Sequence, residues 1–157
     1  MNFPLYQNDP RLHVRPSIEP YGCLFRSLGE IAEAHVGEAL TPRELIDMYD
    51  WLIEQGYMLD EKGHQSWVQD HAAVINAGLY YLGAEQTAEY AWRMDLAGQG
   101  KGFGSPAGCN YFIAQARMDG WSISHFYRSD SRGDRMRDPY WPPKETIKVI
   151  SIRGYEV

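Results

Sequence analysis

Cys23 is one of two cysteines in this 157-residue sequence, and it stands where a thiol can react. It follows Gly22 and begins the amphipathic segment "CLFRSLGEIAEAHVG". A thiol in the first turn of a helix faces unpaired backbone N–H groups and the positive end of the helix dipole, which favour the thiolate. The same N–H groups can hold an oxyanion. Cys23 is therefore a candidate nucleophile, or else a small apolar residue packed at a helix start.

His125 is the histidine best placed to serve as a base. It lies in "WSISHFYRSD", on a predicted strand, and a strand holds an imidazole more rigidly than a loop does. Asp138 follows in "RDPYWPP", where the next proline keeps its backbone extended. Its carboxylate can accept the second ring N–H of His125. The alternatives are a histidine that only packs and an ordinary Asp-Pro turn.

The other four histidines do not indicate a metal site. His13 lies in a proline-rich segment, and His35 falls on the apolar face of the first predicted helix. His64 and His71 are separated by Ser66, a predicted helix cap, and form no HExxH motif. We therefore expect no metal and no cofactor.

The segments "YGCLFRSLGEIAE", "SHFYRSD" and "RDPYWPP", in this order, resemble the papain-like cysteine peptidase superfamily. The nearest types are bacteriocin-processing peptidases and small phage-encoded relatives. In that superfamily the cysteine opens the central helix, the histidine lies on a sheet strand, and an Asp or Asn orients it. The resemblance implies Cys23 as nucleophile, His125 as base and Asp138 as the orienting group.

The oxyanion donor departs from the superfamily pattern, in which a glutamine lies several residues before the cysteine. No glutamine occurs here between Gln7 and Cys23. Either Gln7 folds back, or Ser17, Tyr21 or backbone N–H groups replace it, or the oxyanion hole is incomplete. Gly22 would allow a substrate backbone to approach closely.

Aromatic residues flank the proposed His125–Asp138 edge. We expect Trp121, Tyr140 and Trp141 either to line an apolar substrate cleft or simply to pack. The glycine-rich segment "GQGKGFGS" lacks the spacing of a phosphate-binding loop, and residues 97–108 are predicted to be a mobile loop near the cleft. Cys109, just beyond, is interpreted as a buried filler more readily than as a second reactive thiol.

Composition limits the partners. The net charge of −6 and a pI of about 5.3 argue against broad attraction to nucleic acid. The sequence shows no signal peptide and no apolar run long enough to span a membrane, so we expect a cytoplasmic protein. A peptide or protein substrate is the expected partner.

The periodicity predicts helices first and strands later. Helices are predicted from Cys23 to Gly37, from a Thr41 cap to Gly56, and from Ser66 to about Leu79. Residues 84–96 fit either helix or strand. Asp119-Gly120 predicts a tight hairpin turn between two strands, and residues 146–157 predict a last strand covered on both faces.

This order predicts an α+β fold, with the helix that carries Cys23 packed on a C-terminal antiparallel sheet. Residues 1–157 are predicted to form one papain-like domain, with residues 1–20 as an extended N-terminal arm. The first functional hypothesis is a cysteine hydrolase that cleaves a peptide or amide bond. The second is a catalytically inactive papain-like binding or phage-related interaction module.

Overall fold

The computed structural model describes residues 4–98 and 100–157. Its helices are α1 (Ile18–Tyr21), α2 (Cys23–Val36), α3 (Pro42–Glu54) and α4 (His71–Tyr81). Its strands are β1 (Met58–Glu61), β2 (His64–Val68), β3 (Glu89–Asp95), β4 (Phe103–Gly104), β5 (Tyr111–Met118), β6 (His125–Ser129), β7 (Arg135–Arg137) and β8 (Thr146–Glu156).

The main sheet has six strands in the order β4-β3-β8-β5-β6-β7, and each neighbouring pair is antiparallel. The longest strand, β8, lies between β3 and β5, and its residues 151–155 are all buried. The predicted α+β class is thereby confirmed. The last strand is covered on both faces only over residues 151–155, because residues 146–148 are exposed, so the prediction of two-sided burial along the whole strand is wrong. The strands β1 and β2 form a separate hairpin between α3 and α4.

The end residues predicted for α2 and α3 cap these helices in the structure. Gly37 ends α2 in the left-handed conformation, with φ of 87°. Thr41 caps α3 by accepting the N–H of Glu44, and the Glu44 side chain accepts the N–H of Thr41 in return. Pro42 occupies the first turn, where no N–H is needed.

The helices and the sheet share one main hydrophobic core. Phe25, Leu28 and Ile31 of α2 are fully buried in it, together with Ile113 of β5 and Tyr155 of β8. Helix α2 lies against β6 and α4. This packing fixes the start of α2 relative to the strand that carries His125.

The prediction of a helix from Ser66 is wrong. Residues 64–68 form β2, and helix α4 begins only at His71, after Asp70 caps it by accepting the N–H of Ala73. Val68 had the spacing of a helical apolar face, yet it pairs with Met58 across the hairpin. The hairpin pairing with β1 therefore decided the conformation.

Three smaller predictions need correction. The arm over residues 1–20 is not extended throughout, because Pro10–Leu12 form a 3-10 helix and α1 begins at Ile18. The glycine-rich loop 97–108 contains the short strand β4; its residue 99 lies outside the described residues. The connection from β5 to β6 spans residues 119–124, so it is longer than the predicted two-residue turn.

Residues 84–96, which fitted either helix or strand, contain the strand β3. Across the described ranges 4–98 and 100–157, none of the helices has both the length and the apolar character needed to cross a membrane.

Candidate active site

His125 and Asp138 form a buried hydrogen-bonded pair. The Nε2–H of His125 donates to Oδ1 of Asp138 at 2.7 Å. The two side chains are 1% and 5% exposed, so water competes little for this bond. Oδ1 also accepts the N–H of Tyr140 at 2.9 Å, and Oδ2 faces Nη1 of Arg135 at 3.3 Å. These additional donors hold the carboxylate in one orientation.

Cys23 is the second side chain, after Asp138, that raises the pKa of His125. Because Asp138 occupies Nε2, Nδ1 is the ring nitrogen left to face the sulfur. Ser27, one turn further along α2, donates from Oγ to the carbonyl oxygen of Phe126 at 3.4 Å. This bond ties the first turns of α2 to β6. The structure thus brings together all three predicted catalytic residues, which come from separate elements.

The pKa of His125 reflects this environment. Burial lowers its pKa, but hydrogen bonding to Asp138 and to Cys23, and the negative charge that each can carry, outweigh burial and raise the pKa to about 9. The imidazolium is therefore favoured at neutral pH. A positive ring beside the sulfur stabilises negative charge on that sulfur.

Two of the flanking aromatic residues enclose the imidazole. The ring of Trp121 meets that of His125 edge-on, with centroids 4.6 Å apart, and meets Tyr140 at 5.1 Å. Trp121 lies in the β5–β6 connection, between Met118 and His125. Trp141 instead is 56% exposed and contacts Tyr6 at 5.5 Å, away from the His125 ring.

Gly22 joins α1 to α2 and allows the two helices to lie close together. A Cβ atom on Gly22 would collide with the carbonyl oxygen of Ile18, which already accepts the Gly22 N–H at 2.8 Å. Gly22 therefore permits the close approach of α1, and not that of a substrate backbone as the sequence predicted. This contact sets the position of Cys23, the first residue of α2.

Gln7 does fold back toward the segment before Cys23, but its amide is already used. Its Nε2 donates to the carbonyl oxygen of Glu19 at 2.7 Å, and its backbone N–H donates to Pro139 at 2.7 Å. The residue is 1% exposed and does not line the large cavity next to Cys23. In this arrangement Gln7 joins α1 to the segment after Asp138 and offers no donor to a substrate.

Ser17 and Tyr21, the two other side chains predicted to stabilise an oxyanion, differ in their access to the cavity. Ser17 occupies the residue before α1 and does not line the cavity, whereas Tyr21 lines it next to Cys23 and is 42% exposed. Of the predicted side-chain donors, Tyr21 is thus the one that lines the cavity, next to Cys23 and Leu24 of the first turn of α2.

A cavity of about 600 Å³ opens beside Cys23, between the start of α2, the β1–β2 hairpin and the main sheet. Its size matches that of a small-molecule or peptide side-chain site. The polar side chains that line it were not predicted from the sequence; they include Gln65, Arg93, Gln115 and Arg153. The one available indication was an arginine within the otherwise buried last strand.

The remaining cysteine and histidines are placed differently. Cys109 is half-buried, and burial followed by the charge of Glu156 raises its pKa, which disfavours the thiolate. His71 is hydrogen-bonded to the hydroxyl of Tyr155 at 2.7 Å, and His64 contacts the ring of Trp67. Within residues 4–98 and 100–157, no three His, Cys, Asp or Glu side chains are grouped to hold a metal ion.

Comparison with protein-family models, curated proteins and solved structures finds no match for this chain. The function is therefore inferred from the geometry of the site.

Proposed function

We propose that the protein is a cysteine hydrolase of papain-like type that cleaves a peptide or amide bond. The observation that carries the proposal is the buried series of Cys23, His125 and Asp138 beside an open cavity. The thiol begins a helix, the base begins a strand, and the acid holds the far nitrogen of the base. This is the arrangement that nucleophilic catalysis by a thiol requires.

In the first step, the sulfur of Cys23 attacks the carbonyl carbon of the substrate. The C–S bond forms first and places the negative charge on the carbonyl oxygen. The C–N bond then breaks as the imidazolium of His125 gives its Nδ1 proton to the departing amine. The products are a thioester on Cys23 and a free amine. The negative oxygen formed on the way lies next to the N–H groups of the first turn of α2, with Tyr21 as a further donor.

In the second step, water hydrolyses the thioester. Neutral His125 takes a proton from the water as the oxygen attacks, the C–S bond breaks, and the acid product leaves. Asp138 keeps Nδ1 directed at the reacting atoms in both steps because it holds Nε2. Trp121 covers the ring edge and keeps bulk water from competing for the His125–Asp138 bond.

The proposal is tested with a fluorescence-quenched peptide library and a peptidyl acyloxymethyl ketone, a reagent that traps thiol nucleophiles. We expect peptide hydrolysis and covalent modification at Cys23 in the wild-type protein. Cys23→Ala and His125→Ala should abolish both, and Cys109→Ala, the matched control, should keep both. Loss of activity in Cys109→Ala with retention in Cys23→Ala would refute the assignment.

The second candidate is a catalytically inactive binding module with the same fold. The commitment of the Gln7 amide to Glu19 favours it, because it leaves the oxyanion hole without a glutamine donor. Losing one such donor costs about a hundredfold or more in rate. The isosteric Cys23→Ser variant separates the two candidates: a binding module keeps its biological effect in this variant, and a hydrolase loses it.

A further inference from the structure

Two arginines stand side by side in the cavity beside Cys23 without an acidic partner. Arg93 on β3 and Arg153 on β8 are directly opposite each other across the strand pair. Both side chains line the cavity. Like charges in this relation destabilise a sheet. Within the described parts of the chain, neither arginine forms a salt bridge to compensate.

Arg153 is the more constrained of the two. Arg153 is 5% exposed. Among residues 4–98 and 100–157, its Nε and Nη1 have no hydrogen-bond partner, and neither has Nε of Arg93. Nη2 of Arg153 donates to Oε1 of Gln115 at 3.2 Å, and its guanidinium lies 4.8 Å from the ring centroid of Phe126. A buried guanidinium with unused donors is costly unless an anion completes it.

Gln115 fixes this orientation. Its Nε2 donates to Oγ of Ser124 at 2.8 Å, so its Oε1 is turned toward Arg153, and the same Oε1 accepts the hydroxyl of Ser151 at 3.0 Å. The guanidinium is therefore held through Nη2, which donates to one acceptor on the cavity wall, Oε1 of Gln115. Nε and Nη1 of Arg153 are buried near the phenol of Tyr90, so the two arginines meet a ligand where their side chains line the cavity.

The electrostatic character of the cavity is opposite to that of the whole protein. The chain carries a net charge of −6, yet the cavity is lined by Arg93, Arg153 and Lys101 against the single carboxylate of Asp95. The carboxylate of Asp95 accepts the N–H of Ala97.

The neighbouring groups respond to this positive charge. Burial, and then the charges of Arg153 and Arg93, lower the pKa of His71 to about 3, so this lining residue is neutral. The phenol of Tyr90 lies near both guanidinium groups, and burial raises its pKa, so it provides no negative charge. The positive charge of the pair is thus left without a counter-charge from these neighbours.

We propose that Arg93 and Arg153 form an anion subsite that binds a carboxylate of the substrate, so that the enzyme prefers acidic peptides or amides. The inference rests on the proposed hydrolase function. Guanidinium groups bind carboxylates through paired N–H donors in a planar geometry. The carboxylate is the anion that an unmodified peptide supplies, through an Asp or Glu side chain or a free C-terminus.

The test uses two alkylating reagents of equal size, N-iodoacetyl-glutamic acid α-amide and N-iodoacetyl-glutamine α-amide. Rates at Cys23 are divided by the rates with glutathione to remove intrinsic reactivity. We expect the acid to react about tenfold faster than the amide with the wild-type protein. Arg153→Gln and Arg93→Gln should reduce this ratio to near one, and Arg43→Gln, which removes an exposed charge on α3, should leave it unchanged.

The outcomes separate the two proposals. Rapid alkylation of Cys23 with equal rates for acid and amide overturns the subsite and leaves the hydrolase standing. Slow alkylation by both reagents overturns the hydrolase and, with it, the substrate preference. A ratio that survives both arginine substitutions would assign the preference to the imidazolium of His125 and overturn the subsite.

A second variant covers the case in which Arg153→Gln does not fold, and a third reagent tests for phosphate binding. If Arg153→Gln does not fold, as judged by circular dichroism, the half-buried Arg93→Gln variant carries the test. A third reagent, N-iodoacetyl-O-phosphoserine amide, distinguishes a phosphate from a carboxylate. Faster reaction of this reagent than of the glutamic acid reagent would overturn the carboxylate assignment.

Discussion

The Nε2 atom of His125 lies 2.7 Å from Oδ1 of Asp138, and this bond joins a residue at the start of β6 to the residue that follows β7. The chain between them forms a turn and a short antiparallel pairing, Arg128 with Arg137 and Ser129 with Arg135. The pairing returns Asp138 to the level of His125. The charge state of the imidazole therefore depends on an acid that β7 holds in place.

Asp138→Asn should lower the pKa of His125 well below about 9. The substitution removes the charge that opposes burial, and burial alone lowers the pKa of an imidazole. NMR titration of histidines labelled with ¹³C at Cε1 measures the change directly. Asp134→Asn, in the exposed turn before β7, is the matched control and should leave the titration of His125 unchanged.

The same substitution should change the pH dependence of folding. Because the pKa of His125 is raised in the folded state, its stabilising contribution is complete below about pH 6.5 and is lost as pH rises through about 9. The free energy of unfolding of the wild-type protein should therefore fall across this range. The fall should be smaller in Asp138→Asn, and an equal fall in both proteins would contradict the coupling.

Trp121→Ala should weaken both the site and the fold. Losing the edge-on contacts with His125 and Tyr140 should cost about 1–2 kcal/mol of unfolding free energy. The less constrained imidazole should reduce the alkylation rate at Cys23 about tenfold. Trp141→Ala is the control, because Trp141 does not contact the His125 ring. Equal alkylation rates in the two variants would show that Trp121 does not position the base.

Glu30 should make the fold less stable as pH rises from 4.5 to 6. Burial raises its pKa from 4.5 to about 6, although Arg26 and Arg137 lie at 3.9 and 3.2 Å. The folded protein therefore binds this proton more tightly than the unfolded chain, and ionisation costs about 2 kcal/mol of stability by neutral pH.

Glu30→Gln removes this titration. Chemical denaturation at pH 4 and pH 7 should show the variant gaining about 2 kcal/mol relative to wild type between the two conditions. Glu38→Gln, at an exposed position just after α2, should show no such gain. A pH-independent difference between Glu30→Gln and wild type would contradict the raised pKa.

The helix start at Cys23 and the strand at His125 were predicted correctly, since each depends on local features. The strand β7, which Asp138 follows, was not predicted. Gly22 and the apolar spacing after Cys23 indicate a helix start, and Pro139 restrains Asp138. The distance between these residues could not be predicted, because the packing of α2 on β6 and the β6–β7 pairing determine it.

The cavity residues were missed for a related physical reason. Arg93 and Arg153 become neighbours only through the register of β3 on β8, which joins positions far apart in sequence. The β1–β2 hairpin was missed because Val68, Ala72 and Ile75 also have helical spacing. Ser66, with φ of 50°, adopts a conformation that propensity does not predict for a strand residue.

The rate of alkylation by iodoacetamide at each cysteine tests the central claim most directly. At about pH 7 we expect Cys23 to react about a hundredfold faster than Cys109, because His125 supports negative charge on its sulfur. His125→Ala should bring Cys23 down to the rate of Cys109. Equal, slow labelling of both cysteines in the wild-type protein would contradict the account.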